Sequence, residues 1–405
     1  MGDPQFKTTL ECEGPKGVNV DFTLELSDDQ RALRATIREF SQAEIAPNAG
    51  QWDREGTFPT KTIKKLGQLG VMGLPFPENY GGVGAGTLSF AIALEELAKV
   101  DSSVAITVAA SVSLGGAPLL LFGTERQKEQ YLVPLARGET LGAFASTEPG
   151  MGSDVQGLQT TANHEDDDWV INGTKAFITN AGTDMSSFVI TTAITGQREA
   201  GKPEVSTLIV PTQTDGFLPQ RPYEKMGWHA SDTRELAYQD CRVPYDALLG
   251  PRGAGARQFL QTLDGGRVGV AAIGVGLAQG CLDHSVNWAQ QRCAFGQPIA
   301  RFQAVSFALA DLKTRIGAAR AVVYRAAALK DAGKPYSEEA AQAKLFASEL
   351  AVHAADVAMQ VHGGYGYMEE SNIPRFYRDA KILTIGEGTS EILKLVIARH
   401  MGLPV

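Results

Sequence analysis

Four short segments of this chain carry residue types at spacings that could do chemistry. The sharpest is Ile385-Gly386-Glu387-Gly388-Thr389-Ser390. A carboxylate between two glycines is sterically open, so a substrate could reach it as a general base. Thr389 or Ser390 could cap the apolar helix that follows from Ile392 to Ile397, and an exposed acid at a helix start is the plainer reading. Thr147-Glu148-Pro149-Gly150-Met151-Gly152-Ser153-Asp154 combines glycines with hydroxyls. Such a loop can turn backbone N–H groups toward a flavin edge or a phosphate, and an ordinary turn explains it equally well. Arg292-Cys293-Ala294-Phe295-Gly296, with Gln303 downstream, sets a guanidinium beside an aromatic ring. That pairing suits a pyrophosphate and a flat ring system, or simply a surface loop between helices. Gln360-Val361-His362-Gly363-Gly364-Tyr365-Gly366 has paired glycines that either stop a helix or admit a phosphate close to the backbone. His362 reads as packed rather than catalytic.

Other site chemistries find no support. No GxGxxG follows a strand, which disfavours a nicotinamide fold, and neither a GxSxG elbow nor a P-loop occurs. The histidines and the four cysteines, Cys12, Cys241, Cys281 and Cys293, show no zinc-like spacing. Structural thiols in a reducing compartment are the expectation.

The elements that must position these segments change character along the chain. The first third reads as helical. Ser27 with Gln30 resembles a capping box, Leu33, Ile37 and Phe40 recur at helical spacing, and Pro47 should end that run. Leu88 to Phe122 is apolar on all sides, so its helices should be buried, with breaks near Asp101 and Gly115–Pro118. Strand signals then gather between residues 141 and 250. Asn172-Gly173 between apolar runs predicts a hairpin turn, Asp166–Asp168 a solvated turn, and Gly201 to Glu204 a loop. The last part returns to helix, with faces at Phe259, Leu263, Val270 and Leu277, and at Phe307, Leu309, Leu312 and Ile316. Ser337 should cap a third helix through Leu345, Leu350 and Val357. The expected units are residues 1–140, 141–250 and 251–405.

At 405 residues the chain suits two or three domains, and 20 % charged residues is an ordinary globular balance. A net charge of −9 argues against a nucleic-acid partner. Met1 to Gly17 reads as neither a signal nor a transit peptide, and no stretch of about 18 apolar residues is read as a membrane span. A bacterial cytoplasmic location is expected, or a processed mitochondrial one.

In their order and gaps the four segments resemble the acyl-CoA dehydrogenase family, from about residue 22 to residue 400. The resemblance implies an α+β fold: a helical N-terminal domain, a central β-barrel-like domain and a C-terminal four-helix bundle. It implies one FAD per subunit, a homotetramer built as a dimer of dimers, an acyl-CoA substrate and an electron-transferring flavoprotein as acceptor. By motif, Phe144, Ser146, Thr147, Gly152 and Ser153 should line the flavin or the thioester arm. Phe177, Ile178 and Thr179 should lie against the flavin ring. Arg292, Phe295 and Gln303 should meet a neighbouring subunit's FAD, with Gln360, Gly363 and Gly364 at its adenylate half and Thr389 at a phosphate. Asp264 and Arg267 resemble positions that contact the CoA arm, with Ser153 and Gly388 also on the substrate.

Glu387 matches the catalytic base of the family's main branch. Other branches place the base just before the arginine matched by Arg267, where this chain has Gly266. Two departures stand out. Gly386 replaces the tyrosine or phenylalanine usual before the base, and Ala294 stands where relatives often have threonine or glutamine. Small uncharged side chains from Thr107 to Ser111 fall at the resemblance's pocket floor, and the glycines around Gly265 and Gly266 resemble the short-chain branch. The resemblance thus implies alpha-proton abstraction by Glu387 and beta-hydride transfer to FAD, giving a trans-2-enoyl-CoA from a short- to medium-chain or branched acyl-CoA. The alternatives are an acyl-CoA oxidase and a non-catalytic flavoprotein or assembly factor on the same scaffold.

Overall fold

Ser27 opens the first helix with the expected reciprocal cap: its hydroxyl accepts from Gln30 N, and the Gln30 side chain accepts from Ser27 N. The computed structural model describes residues 25–198 and 201–405. The expectations for Met1 to Gly17 and for Cys12 lie outside those residues. Eight helices come first: α1 (Asp28–Phe40), α2 (Ala46–Glu55), α3 (Thr60–Gln68), α4 (Gly86–Ala98), α5 (Ser102–Ala109), α6 (Ala117–Phe122), α7 (Glu125–Gln127) and α8 (Val133–Ala136).

Pro47 does not end the first helical run. A π-helical turn, Ser41–Ile45, carries the chain from α1 into α2, and Pro47 sits in the first turn of α2. There the π turn has already interrupted the regular i→i−4 ladder, which accommodates a residue without an N–H. The same device operates at Ala110–Gly116, which joins α5 to α6 with Pro118 again in a first turn. The break expected near Gly115–Pro118 is therefore a wide turn of continuous helix. At Asp101 the expected boundary is present, and its carboxylate caps α5 by accepting from Val104 N at 2.9 Å.

Seven strands follow: β1 (Leu141–Ala145), β2 (Thr161–Glu165), β3 (Asp168–Thr179), β4 (Ser186–Gln197), β5 (Pro203–Pro211), β6 (Phe217–Pro222) and β7 (Thr233–Pro244). They form one mixed sheet in the order β1-β4-β2-β3-β7-β6, with β5 added to β4. Trp169, Ile171, Val189, Leu208, Leu236 and Tyr238 make its core. The Asn172-Gly173 hairpin is not formed. Both residues lie inside β3, and the chain reverses at Asp166-Asp167, between the paired Glu165 and Asp168. Gly173 is kept by close packing instead: a Cβ there would come within 2.5 Å of Thr160 Oγ1. The loop expected at Gly201 to Glu204 is shorter than read, because β5 already begins at Pro203 opposite Gln197.

The chain then enters α9 (Gly255–Gln291), a hairpin of β8 (Cys293–Ala294) and β9 (Gln297–Pro298), α10 (Gln303–Asp331), α11 (Ser337–His362), α12 (Ile373–Ala380) and α13 (Ser390–His400). At 37 residues α9 runs roughly 55 Å through the middle of the molecule. It packs on α4, α10 and α11. Its glycines allow this: a Cβ on Gly276 would lie 2.2 Å from Glu95 O of α4. The seam of α11 is built from Ala340, Ala343, Ala347, Ala351 and Ala354, while Leu345 and Val357 are only half-buried. Phe307 of α10 faces out, and Leu309, Leu312 and Ile316 face in. Ser337 begins α11 without capping it. Asp331 instead caps α4, accepting from Thr87 N at 2.6 Å and Leu88 N at 2.9 Å.

Two helical stretches, Ser102–Phe122 and Gly255–Gln291, are long and apolar enough to cross a membrane, contrary to the reading of the sequence. In the most apolar 18-residue window of each, 78 % and 94 % of the residues are buried within the fold, the place of core helices. Cys241 and Cys281 are buried and free, and Cys293 is exposed and free.

Candidate active site

Glu387 lies in the short turn between the 3-10 segment Lys381–Thr384 and α13. Its φ of 53° and the 101° of Gly388 put consecutive residues on the left-handed side of the backbone map. Such a conformation costs a non-glycine residue energy and persists where the surroundings hold it. The turn is held from both sides. Thr389 caps α13, its hydroxyl accepting from Ile392 N at 3.3 Å. Lys344 of α11 donates to Gly388 O at 2.5 Å.

The Glu387 carboxylate is pressed against α9. Its Oε2 has almost no accessible surface and no hydrogen-bond partner. A Cβ on Gly266 would stand 2.2 Å from that oxygen and 3.1 Å from a methyl carbon of Leu114. Burial pushes the Glu387 carboxyl up to about 7, opposed by the nearby cations of Lys344 and Arg267. This places the group between its two protonation states near neutral pH, which suits a general base. Arg267 is itself buried beside this turn and bonds Asp264 Oδ1 at 2.7 Å. Gly386 leaves room, since a Cβ there would meet only Ile382 O at 3.7 Å.

A small cavity of about 100 Å³ lies beside this point. Phe90, Val112, Ser113, Gly265 and Gly269 line it, with Lys330 in the wall. Ser113 and Gly265 directly precede Leu114 and Gly266, the residues next to the carboxylate.

The glycine-hydroxyl segment follows β1 and is fastened to β3. Ala176 N donates to Thr147 O at 2.8 Å, and Glu148 and Met151 exchange backbone bonds to close a tight turn. Beneath it Glu148 and Lys175 form an ion pair at 2.8 Å with side chains 5 % and 0 % exposed. Thr160 Oγ1 and N and Gln159 N also donate to the Glu148 carboxylate, and Lys175 reaches Ser146 O at 3.2 Å. Burial pushes Lys175 down to about 8 against the pull of Glu148. Phe144 stacks on Phe259 of α9, Ser146 is buried, and Gly152 and Ser153 are exposed. On β3 a register shift between Lys175 and Ile178 changes the face. Phe177 takes a φ of 62° and is 65 % exposed beside Tyr223, whereas Ile178 is buried and Thr179 half-buried.

The remaining candidates gather elsewhere. Arg292, Gly363 and Gly364 share a groove of about 560 Å³ with Trp288, Tyr365 and Met368. Arg292 sits over the Tyr365 ring at 5.7 Å, and a Cβ on either glycine would meet nothing within 4 Å. His362 packs as expected, stacked on Trp288 with Nδ1 2.8 Å from Ala358 O. Phe295 projects from the β8–β9 hairpin, 94 % exposed with φ 51°. Gln303 and Gln360 are exposed on α10 and α11, and neither lines the groove. No residue of the Glu387 turn lines this groove, so one subunit carries two separate candidate surfaces.

A carboxylate in a glycine turn against a central helix, set on helical, β and helical parts, defines a class that comparison then specifies. The acyl-CoA dehydrogenase N-terminal domain matches residues 27–139, its middle domain residues 143–241 and its C-terminal domain residues 253–402. The chain belongs to the acyl-CoA dehydrogenase family. It is 51 % identical over 380 residues to the probable acyl-CoA dehydrogenase YngJ of Bacillus subtilis, covering 94 % of this chain and 100 % of that one. The butyryl-CoA dehydrogenase of Megasphaera elsdenii superposes with a TM-score of 0.91 at 42 % identity, covering 94 % and 99 %. A glutaryl-CoA dehydrogenase of Mycobacterium smegmatis, solved in complex with FADH2, superposes with a TM-score of 0.87 at 29 % identity, covering 93 % and 95 %. The α+β fold expected from the sequence is the one found, and the family is FAD-dependent.

Sequence reasoning missed Lys344, Lys175 and the work of Gly266. The first two are lysines on otherwise apolar or small-residue faces, which is a readable signal of a buried charge.

Proposed function

We propose that this chain oxidises short acyl-CoA thioesters to trans-2-enoyl-CoA with Glu387 as the base. The observation that carries the reading is the Glu387 carboxylate itself: one oxygen sealed against α9 without a donor, in a turn open at Gly386. A carboxylate so placed is under-solvated and ready to accept a proton. It takes the alpha proton of the thioester. The backbone N–H of Glu387 would donate to the carbonyl oxygen, whose charge grows as the proton leaves.

The residues present fit a flavin dinucleotide. Phe177 offers an exposed aromatic face for a flat ring. The open Gly363-Gly364 backbone beside Arg292 suits a pyrophosphate, with Phe295 and Gln303 on the neighbouring hairpin and helix. FAD, when bound, supplies the acceptor for the beta hydrogen and its electron pair. The separation of the two candidate surfaces supports assembly of each cofactor site from two subunits of a homotetramer. An electron-transferring flavoprotein is the proposed onward acceptor.

A short acyl group is favoured by the small size of the cavity, about 100 Å³, and by the bulk of Phe76, Phe90 and Leu121 in its wall. The likeness to a butyryl-CoA dehydrogenase points the same way. The test is anaerobic titration of the FAD-loaded protein with acyl-CoAs of graded length, following flavin absorbance. Bleaching by the short members, abolished in Glu387→Gln, is expected. Undiminished bleaching in Glu387→Gln would remove Glu387 from the reaction.

A further inference from the structure

Lys344 belongs to none of the segments that drew attention in the sequence, yet no part of its side chain is exposed. Its neighbours on the seam of α11 are Ala340, Ala343, Ala347 and Ser348. A lysine in such a place loses its hydration and needs compensation from the protein. The hydrogen bond given to its ammonium is to a backbone carbonyl, and that carbonyl belongs to Gly388, the residue after Glu387.

The bond therefore acts on the left-handed turn that carries the carboxylate. The charged groups around Glu387 can be named element by element. Arg267 faces it from α9, with Asp264 bonded to that arginine. Lys344 faces it from α11. The wide turn Ala110–Gly116 carries no charged residue, and Lys381 and Glu391 on either side of the carboxylate's turn are exposed. Burial pushes Lys344 down to about 8, while the Glu387 charge supports its protonated form.

We propose that Lys344 is a positioning residue for the base: its bond to Gly388 O holds the Glu387 turn in its left-handed form, and its charge keeps the sealed carboxylate ionised. This rests on the reading of Glu387 as the base. A clamp alone would need no charge at this place, and a charge alone would need no bond to the turn.

The test uses FAD-loaded wild type, Lys344→Met, Lys344→Gln and Lys344→Arg, with the rate of anaerobic flavin reduction by butyryl-CoA followed across the neutral pH range. Losing a cation this close should move the ascending limb up by about one pH unit or more, roughly a tenfold loss on the acid side that fades at alkaline pH in Lys344→Gln and leaves a residual loss in Lys344→Met, which also lacks the bond to Gly388 O. Lys344→Gln keeps an N–H donor and removes the charge, so it carries the test if the methionine variant does not fold. Lys344→Arg should return the limb toward its wild-type position. A loss equal at every pH, or a limb that does not move in either neutral variant, overturns the proposal. If wild type is not bleached, or Glu387→Gln still is, the base assignment fails instead.

Discussion

Replacing Gly266 with alanine should separate activity from stability. The added Cβ would stand 2.2 Å from Glu387 Oε2. An ordinary carbon–oxygen approach is about 3.3 Å, so the carboxylate must retreat by roughly 1 Å. The contact is with the end of a flexible side chain, and the second contact, Leu114 at 3.1 Å, needs only a few tenths of an ångström. The helix therefore accommodates the change, and alanine favours helix over glycine by about 1 kcal/mol. Chemistry is less forgiving, because a displacement of about 1 Å at a reacting group can cost roughly 100-fold. Gly266→Ala should thus keep its FAD and its melting temperature while the rate of anaerobic flavin reduction by butyryl-CoA falls about 100-fold. Stopped-flow absorbance measures that rate, and thermal unfolding checks the fold. A variant that reduces at the wild-type rate would show that the carboxylate does not work from its place against α9.

Two other outcomes are expected. Glu387 acts as a carboxylate, and burial pushes its carboxyl up to about 7, so kcat/KM should climb with pH through that value and level off above it. A flat profile through neutrality would count against the base. Lys175→Met removes the partner of the buried Glu148 carboxylate, and breaking such a pair costs about 3–5 kcal/mol. Denaturant unfolding should show that loss together with weaker flavin retention, and a cost within the range of an exposed pair, about 1 kcal/mol or less, would show the pair to be idle.

The helical–β–helical order was legible because periodicity changes plainly along the chain. Individual signals failed where tertiary packing outweighed them. Asn172-Gly173 has the composition of a turn, but its glycine serves the approach of Thr160, and the aspartates at 166 and 167 make the reversal. Pro47 and Pro118 look like helix breakers and are harmless in first turns. Glu387 stood out because glycines flank it. Lys344 did not, because its partner carbonyl lies 44 residues away and no local pattern announces that meeting. Alternation along β3 would place Lys175 and Phe177 on one face. The register shift between them and the left-handed Phe177 bury one and expose the other, a change visible only with the strand in place.

The wide helical turn at Ala110–Gly116 bears on how this pocket could diversify. It is extra chain length absorbed within a helix, and Leu114, inside it, lies against Gly266 beside the carboxylate. Each residue advances a regular helix by about 100°, so deleting one here would return the segment to regular winding, leave α6 in place and give the side chains inside the turn, Leu114 among them, a new bearing. Length, as well as side-chain identity, is therefore a variable of the acyl pocket. Two sequences with the same residues along this wall, one position out of step, would present different walls to the same substrate.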